Sequence, residues 1–154
     1  MSGSARGRAP RILTVLFIPP VWHYLDRNTE FVEHDMTAEA QIKETVTDND
    51  VVLFMKGTKE MPQCGFSSRV AGVLNFMGVE FSDVNVLADD AIRQGIKDFS
   101  DWPTIPQLYV KGEFIGGCDI ITEMTLSGEL DQLFDDQGVS YDKDAANKIR
   151  EHNA

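Results

Sequence analysis

The two cysteines are the residues of this chain whose side chains are best suited to covalent or metal chemistry. Cys64 follows a loop that contains Pro62, and it stands at the entrance of a segment with helical spacing of apolar residues. The positive end of a helix dipole and its unpaired N–H groups favour a thiolate over a thiol. Lys56 and Lys59 in the preceding loop add positive charge. We therefore predict that Cys64 is a reactive thiolate rather than a small buried hydrophobic residue.

The position three residues after Cys64 limits the chemistry open to it. A thioredoxin-like redox site has a second cysteine there, but this chain has Ser67. Cys64 thus lacks a local disulfide partner, and we expect it to act with a thiol or a metal from outside. Cys118 follows Gly116-Gly117 and precedes an apolar helical segment. A packed cysteine fits that position at least as well as a reactive one.

The overall composition excludes several classes of function. The chain of 154 residues has 25 acidic and 14 basic residues, which gives a formal net charge of −11. This charge repels phosphate backbones and anionic lipid surfaces, so we expect neither nucleic acid nor a membrane as a partner. Two cysteines cannot build a disulfide-dense secreted scaffold, and no run approaches the roughly 18 apolar residues of a spanning helix. The composition therefore predicts an acidic intracellular domain.

Turn residues and hydrophobic spacing predict the elements that position Cys64. Thr37 is an N-cap for a helix through about Val46, and the apolar run from Val51 to Met55 is typical of a buried strand. Gly78 ends the helix that begins near Cys64. The elements predicted after it are a strand over Val79–Val86, a helix over Asp89–Phe99, hairpin strands over Gln107–Val110 and Glu113–Ile115, and helices over Asp119–Ser127 and Glu129–Phe134. A βαβ unit followed by a hairpin and a helix predicts an α/β fold with a small mixed sheet.

The two ends of the chain differ from this middle part. In residues 1–35, which we interpret as an N-terminal extension, arginines precede the apolar run from Ile12 to Ile18. Either translation begins at Met36, or the extension is a targeting segment. Residues 36–135 form the predicted domain. Residues 136–154 are an acidic C-terminal tail, which we predict to be mobile or a frayed helix with Tyr141 nearly alone as an anchor.

Four short motifs give the sequence a family resemblance. They are Lys56-Gly57-Thr58, Cys64-Gly65-Phe66-Ser67, Trp102-Pro103-Thr104-Ile105-Pro106 and Gly116-Gly117-Cys118-Asp119-Ile120. In this order and spacing they resemble the motifs of monothiol glutaredoxins of the CGFS class, over about Ala38 to Phe134. The resemblance implies the thioredoxin/glutaredoxin-like fold, with a four-stranded mixed sheet flanked by helices. The three histidines lie outside the matching region, so neither a histidine metal site nor a Cys/His protease is supported.

The resemblance also implies two bound groups, glutathione and a 2Fe–2S cluster. Such a cluster needs four thiolate ligands, and one cysteine per chain supplies two of them in a dimer. Cys64 is the implied metal ligand, shared with the dimer partner, and two glutathione thiolates complete the set. Ser67 fits this reading because Cys64 then has no resolving cysteine and stays available as a ligand.

The implied glutathione contacts lie on several segments. They are Lys56, Arg93, Ile105, Cys118 and Asp119. Lys56 and Arg93 match cations for the glycine carboxylate, and the amides of Cys118 and Asp119 suit the γ-glutamyl carboxylate at a helix N-terminus. Ile105 is expected to precede a cis-proline and to pair with the cysteinyl part like a short strand. Phe66 is expected at the rim of the site and Trp102 in the core beneath it.

The function that the resemblance implies is cluster transfer in iron–sulfur assembly. The expected partners are a second copy of the chain, a BolA-like protein and apo iron–sulfur proteins. The alternative is a glutathione-dependent thiol–disulfide oxidoreductase, in which Cys64 is the catalytic nucleophile. A third reading is an interaction protein that responds to redox state or iron. We expect the bacterial cytoplasm as the location, with the mitochondrial matrix as the alternative.

Overall fold

The computed structural model describes residues 36–154, so the predictions made for residues 1–35 lie outside it. Residues 38–154 form one compact unit. Its helices are α1 (Ala38–Asp48), α2 (Gly65–Phe76), α3 (Asp90–Ser100), α4 (Cys118–Ser127), α5 (Glu129–Gln137) and α6 (Lys143–Asn153). Its strands are β1 (Val51–Met55), β2 (Ser82–Asn85), β3 (Gln107–Val110) and β4 (Glu113–Gly116). Among these residues, no helix is both long and apolar enough to cross a membrane.

The four strands form one mixed sheet in the order β2-β1-β3-β4. β1 pairs in parallel with β2 and antiparallel with β3, and β3 pairs antiparallel with β4. A parallel pair needs a crossover connection, which α2 provides. Lys111 and Gly112 turn the β3-β4 hairpin with φ angles of 51° and 82°. The predicted α/β fold with a four-stranded mixed sheet flanked by helices is confirmed.

Strand β1 is buried along its whole length and separates two hydrophobic cores. Its odd-numbered residues pack in a core with residues from α2, α4, α5 and α6, whereas Val52 and Phe54 pack with residues from α1 and α3. Successive side chains of a strand point to opposite faces, so a strand covered on both faces is apolar throughout. This is why the run Val51 to Met55 shows no alternation.

Strand β2 is shorter than its sequence pattern predicts. The apolar alternation over Val79–Val86 predicts a strand of that length, but only Ser82–Asn85 pairs with β1. Val79 and Phe81 are nevertheless buried in the core beside α2. Alternating apolar residues indicate which side chains are buried, not which residues pair in a sheet. Val79 and Phe81 are buried by packing against the core, although the segment before Ser82 does not pair with β1.

The prediction of a mobile tail or frayed helix after Asp135 is wrong for most of that segment. Residues 143–153 form helix α6, in which Ala145 and Ala146 are buried. The Asp142 side chain caps the helix by accepting from the N–H of Ala145 at 3.0 Å. Arg150 of α6 donates to Asp131 of α5 at 2.8 Å. The sequence pattern missed this docking because the buried face consists largely of alanines, which give little hydrophobic signal.

Candidate functional site

The predicted site residues line one cleft of about 440 Å³. They are Lys56, Cys64, Arg93, Ile105, Cys118 and Asp119. These residues come from the loop after β1, the start of α2, the helix α3, the segment before β3 and the start of α4. The crossover topology brings the carboxyl end of β1 and the entrances of α2 and α4 to the same edge of the sheet. The fold therefore assembles residues that are up to 63 positions apart in sequence (from 56 to 119).

Cys64 occupies the N-cap position of α2, where its backbone is extended and its side chain is partly exposed. The pKa of its thiol is lowered from the ordinary value chiefly by the backbone N–H of Ser67. Partial burial opposes this effect, whereas the N–H of Phe66, the charge of Lys56 and the hydroxyl of Ser67 add to it. The prediction that the helix entrance favours a thiolate is confirmed.

Lys59 does not contribute to the thiolate, contrary to the sequence prediction. Its Nζ donates to the backbone oxygen of Phe81 at 3.1 Å and lies 5.3 Å from the centre of that ring. Its N–H donates to Asp83 at 2.9 Å. These contacts hold Lys59 against the edge strand β2, away from the cleft that Lys56 lines.

The side chain of Asn85, at the end of β2, also braces the loop between β1 and α2. Asn85 Oδ1 accepts from the N–H groups of Gly57 and Leu87, each at 3.0 Å. Across the loop, the N–H of Gln63 donates to the oxygen of Lys56 at 2.9 Å. Gly57 has a φ of +91°, and a Cβ there would lie 2.5 Å from the Met61 oxygen. Only glycine permits this turn, which sets the approach of Lys56 to Cys64.

The opposite wall of the cleft is held by a buried glutamine that the sequence analysis did not single out. Gln107 is fully buried, and its Nε2 donates to the oxygens of Trp102 at 3.1 Å and Thr104 at 3.2 Å. Its Oε1 accepts from the hydroxyl of Tyr109 at 3.2 Å. A buried amide with such partners fixes the loop before β3. The sequence signal was available, since Gln107 is a polar residue at the start of an otherwise apolar strand.

The peptide bond between Ile105 and Pro106 is cis, as the resemblance implies. Within residues 36–154, neither the N–H nor the oxygen of Ile105 makes a hydrogen bond. The side chain of Ile105 is buried in the core with Tyr109. Ile105 therefore offers the cleft an unused pair of backbone groups, which is the feature that an extended peptide needs for strand-like pairing.

The entrance of α4 forms a further wall of the cleft. Gly117 is its N-cap and supplies no side-chain cap, so the first amides of the helix are left without that partner. Cys118 is 8% exposed, which favours the packed cysteine over a reactive thiol. Gly116 and Gly117 have steric reasons to lack a side chain: a Cβ would lie 2.6 Å from Ile120 and 3.1 Å from Trp102 respectively.

Three further residues of the cleft correct or extend the sequence prediction. Trp102 is half-buried and lines the cleft, rather than belonging to the core, and it packs on Phe114 at 5.7 Å between ring centres. Phe66 is 61% exposed at the rim, as predicted. Lys97 also lines the cleft, one helical turn after Arg93. The spacing of these two cations on one face of α3 is a sequence signal for Lys97 that the resemblance does not include.

Comparison with known proteins places this fold and cleft in a class. Residues 51–115 match the family model described as Glutaredoxin. The probable monothiol glutaredoxin 2 of Rickettsia prowazekii is 58% identical over 111 residues, covering 72% of this chain and 94% of the relative. The mitochondrial monothiol glutaredoxin-5 of Saccharomyces cerevisiae is 55% identical over 98 residues, covering 62% of this chain and 65% of the relative. The solution structure of a monomeric truncated mutant of Trypanosoma brucei 1-C-Grx1 has a TM-score of 0.63 and 42% identity, covering 70% of this chain and 96% of that one.

The chain therefore belongs to the glutaredoxin family. Within that family it is a monothiol glutaredoxin, because its relatives carry that name and its active-site segment has Cys64 with Ser67 in place of a second cysteine. Membership of the family implies the use of glutathione. The named relatives include both a bacterial and a mitochondrial protein.

Proposed function

We propose that this monothiol glutaredoxin binds glutathione in the cleft, holds a 2Fe–2S cluster between two copies, and passes the cluster to apo iron–sulfur proteins. The observation that carries the proposal is the isolation of a thiolate-favouring cysteine. Cys64 has a lowered pKa, and the Ser67 hydroxyl accepts from the backbone N–H of Lys56. The site thus offers an activated thiolate without a second cysteine three residues along α2, and Cys118 in the same cleft is packed.

The charges of the cleft suit the ends of glutathione. Its glycine carboxylate finds three cations on one side, Lys56, Arg93 and Lys97. Its γ-glutamyl carboxylate finds the amides at the entrance of α4, where Asp119 faces the adjoining ammonium group. Its cysteinyl part lies between these ends, beside Cys64 and the unused backbone groups of Ile105. Each part of the tripeptide then has a partner of opposite charge or complementary hydrogen bonding.

The ligand chemistry explains why the cluster needs two chains. Within residues 36–154, no group of three or more His, Cys, Asp or Glu side chains is arranged to hold a metal ion. A 2Fe–2S cluster needs four ligands, usually thiolates. Two copies of Cys64 and two glutathione thiolates supply four, so the cluster also joins the dimer. The cluster is cargo in this scheme, and its release requires an acceptor with its own thiolates.

The partners and location follow from that scheme. The proposed partners are a second copy of this chain, a BolA-like protein and apo iron–sulfur proteins. The proposed location is the bacterial cytoplasm, and the mitochondrial matrix is the alternative, in line with the two kinds of relative. Both compartments keep thiols reduced, which a thiolate ligand requires.

Anaerobic reconstitution of the full chain with iron, sulfide and glutathione tests the proposal. Visible absorption, bound glutathione and native mass are read from one sample. We expect a coloured dimer with two glutathiones, a colourless monomer for Cys64→Ser, and a coloured dimer for the matched control Cys118→Ser. A stoichiometric cluster in Cys64→Ser, or one formed without glutathione, would contradict the ligand set.

The lowered pKa of Cys64 also supports a second candidate, removal of glutathione from mixed disulfides. The thiolate attacks the glutathione sulfur, the client thiolate leaves and takes up a proton, and Cys64 becomes linked to glutathione. A second glutathione thiolate then reduces this disulfide and releases oxidised glutathione. Rapid turnover of a glutathionylated peptide by a protein that forms no cluster would favour this function over cluster transfer.

A further inference from the structure

A second concave surface lies between α2 and α6. We name it the α2–α6 groove; it has a volume of about 790 Å³. Its floor is apolar, with Val73 and Ile149 half-buried and Phe76 54% exposed. Gly72 opens the floor, since a Cβ at that position would meet nothing within 4 Å. An exposed apolar groove with a polar rim is typical of a surface that binds a partner.

The rim of the groove has an unusual charge for this protein. The chain carries a net charge of −11, yet Arg69 and Lys148 flank the groove, with His152 beside them and Glu151 as the one carboxylate. Within residues 36–154, the ion pairs are made by other cations, namely Lys111, Lys143 and Arg150. Arg69 and Lys148 are therefore available to carboxylates from a partner.

The groove also begins close to the thiol site along α2. Its lining residues on α2 run from Ser68 to Phe76 along one face of the helix. Ser68 donates its N–H to the oxygen of Cys64 at 2.8 Å, so the groove begins one turn from the reactive cysteine. A partner seated in the groove would reach the edge of the cleft along the same helix.

We propose that the α2–α6 groove binds an acidic amphipathic helix of a partner protein. An apolar helix face fits the open floor at Gly72, and flanking carboxylates meet Arg69 and Lys148. A symmetric contact between two copies is disfavoured, because it would set this basic rim against itself. Docking as such does not depend on the proposed function. The test therefore uses the cluster-free protein.

Two synthetic peptides of about four helical turns serve as probes. Both carry leucine at helical spacing along one face, and they differ only in having glutamate or lysine at the flanking positions. We expect fluorescence anisotropy to show that the full chain binds the glutamate peptide at least about tenfold more tightly than the lysine peptide. Arg69→Glu should remove that preference, whereas the same charge change at Lys43→Glu, on exposed α1 outside the groove, should leave it unchanged.

A matched pair of variants can be made at Gly72. Glutamate and lysine both have a higher helix propensity than glycine, so neither substitution is expected to unfold α2. Gly72→Glu and Gly72→Lys fill the floor with side chains of similar bulk and opposite charge. Both variants should bind the glutamate peptide more weakly than the wild type does, and Gly72→Glu should show the larger loss of affinity. Equal affinity for the two peptides, or a groove blocked only because the protein self-associates through it, would overturn the proposal. If the protein binds the glutamate peptide as expected but forms no cluster in the reconstitution, the proposed function fails and the docking proposal stands.

Discussion

The hydroxyl of Ser67 accepts a hydrogen bond from the backbone N–H of Lys56 at 3.1 Å. Ser67 is fully buried in the first turn of α2, and Lys56 follows the last residue of β1. This bond joins the strand to the helix on either side of the loop that carries Cys64. The serine that replaces a second cysteine thus has a structural task as well as a chemical one.

Ser67→Ala should lower the free energy of unfolding and raise the pKa of Cys64. The variant leaves the Lys56 N–H without its partner, which costs about 1–3 kcal/mol, and it removes one of the hydrogen bonds that stabilise the thiolate. Urea denaturation measures the first effect, and the pH dependence of iodoacetamide alkylation measures the second. Ser68→Ala is the control, because Ser68 is exposed at the next position. A pKa that stays the same in Ser67→Ala would contradict the assigned role.

Lys56→Met should raise the pKa of Cys64. The rise should be small, because the charge of Lys56 lowers this pKa less than the backbone N–H of Ser67 does. The thiolate is the reactive form, so the alkylation rate of the wild type rises with pH through a midpoint below the ordinary value for cysteine. Removing a nearby positive charge moves that midpoint to higher pH, and added salt should narrow the difference between the two proteins. Lys59→Met is the control and should leave the midpoint unchanged, because Lys59 is held against Phe81. Equal shifts in both variants would show that the two lysines act alike.

Gly57→Ala should destabilise the fold and weaken glutathione binding together. Its φ of +91° and the contact of 2.5 Å from a Cβ to the Met61 oxygen require the loop to move, at a cost of about 1–3 kcal/mol. The matched control is Gly72→Ala in the exposed middle of α2, where nothing lies within 4 Å. That variant should gain up to about 1 kcal/mol from helix propensity. Thermal denaturation measures the stability of both variants, and calorimetric titration measures their affinity for glutathione. An unchanged glutathione affinity in Gly57→Ala would show that the conformation of this loop does not affect the binding site.

Arg150→Met should release helix α6 from α5. The Arg150 side chain donates to Asp131, and both groups are largely buried, so its loss leaves a carboxylate without its partner. We expect a loss of about 1–3 kcal/mol in the free energy of unfolding and faster amide hydrogen exchange confined to α6. Lys148→Met on the same helix is the control, since Lys148 makes no ion pair within residues 36–154. Equal effects of the two substitutions would show that the ion pair does not hold the helix.

The sequence alone determined the order of the elements as far as α5 and the position of Cys64 at a helix entrance. These properties are local: a strand buried on both faces must be apolar, a helix entrance must carry unpaired amides, and Ser67 removes the local disulfide partner whatever the rest of the chain does. The family resemblance, rather than local spacing, named Lys56, Arg93, Ile105, Cys118 and Asp119, and all five line one cleft with Cys64.

Only the tertiary structure decided which neighbouring residues act on the site and which do not. Lys56 and Lys59 are equivalent in the sequence, but β2 captures Lys59 through Phe81 and Asp83. Helix α6 docks through alanines and one ion pair, and hydrophobic periodicity does not report such contacts. The partners of Gln107 and the basic rim of the α2–α6 groove also depend on segments far apart in the chain. Packing between distant segments selects these contacts, and no local pattern encodes them.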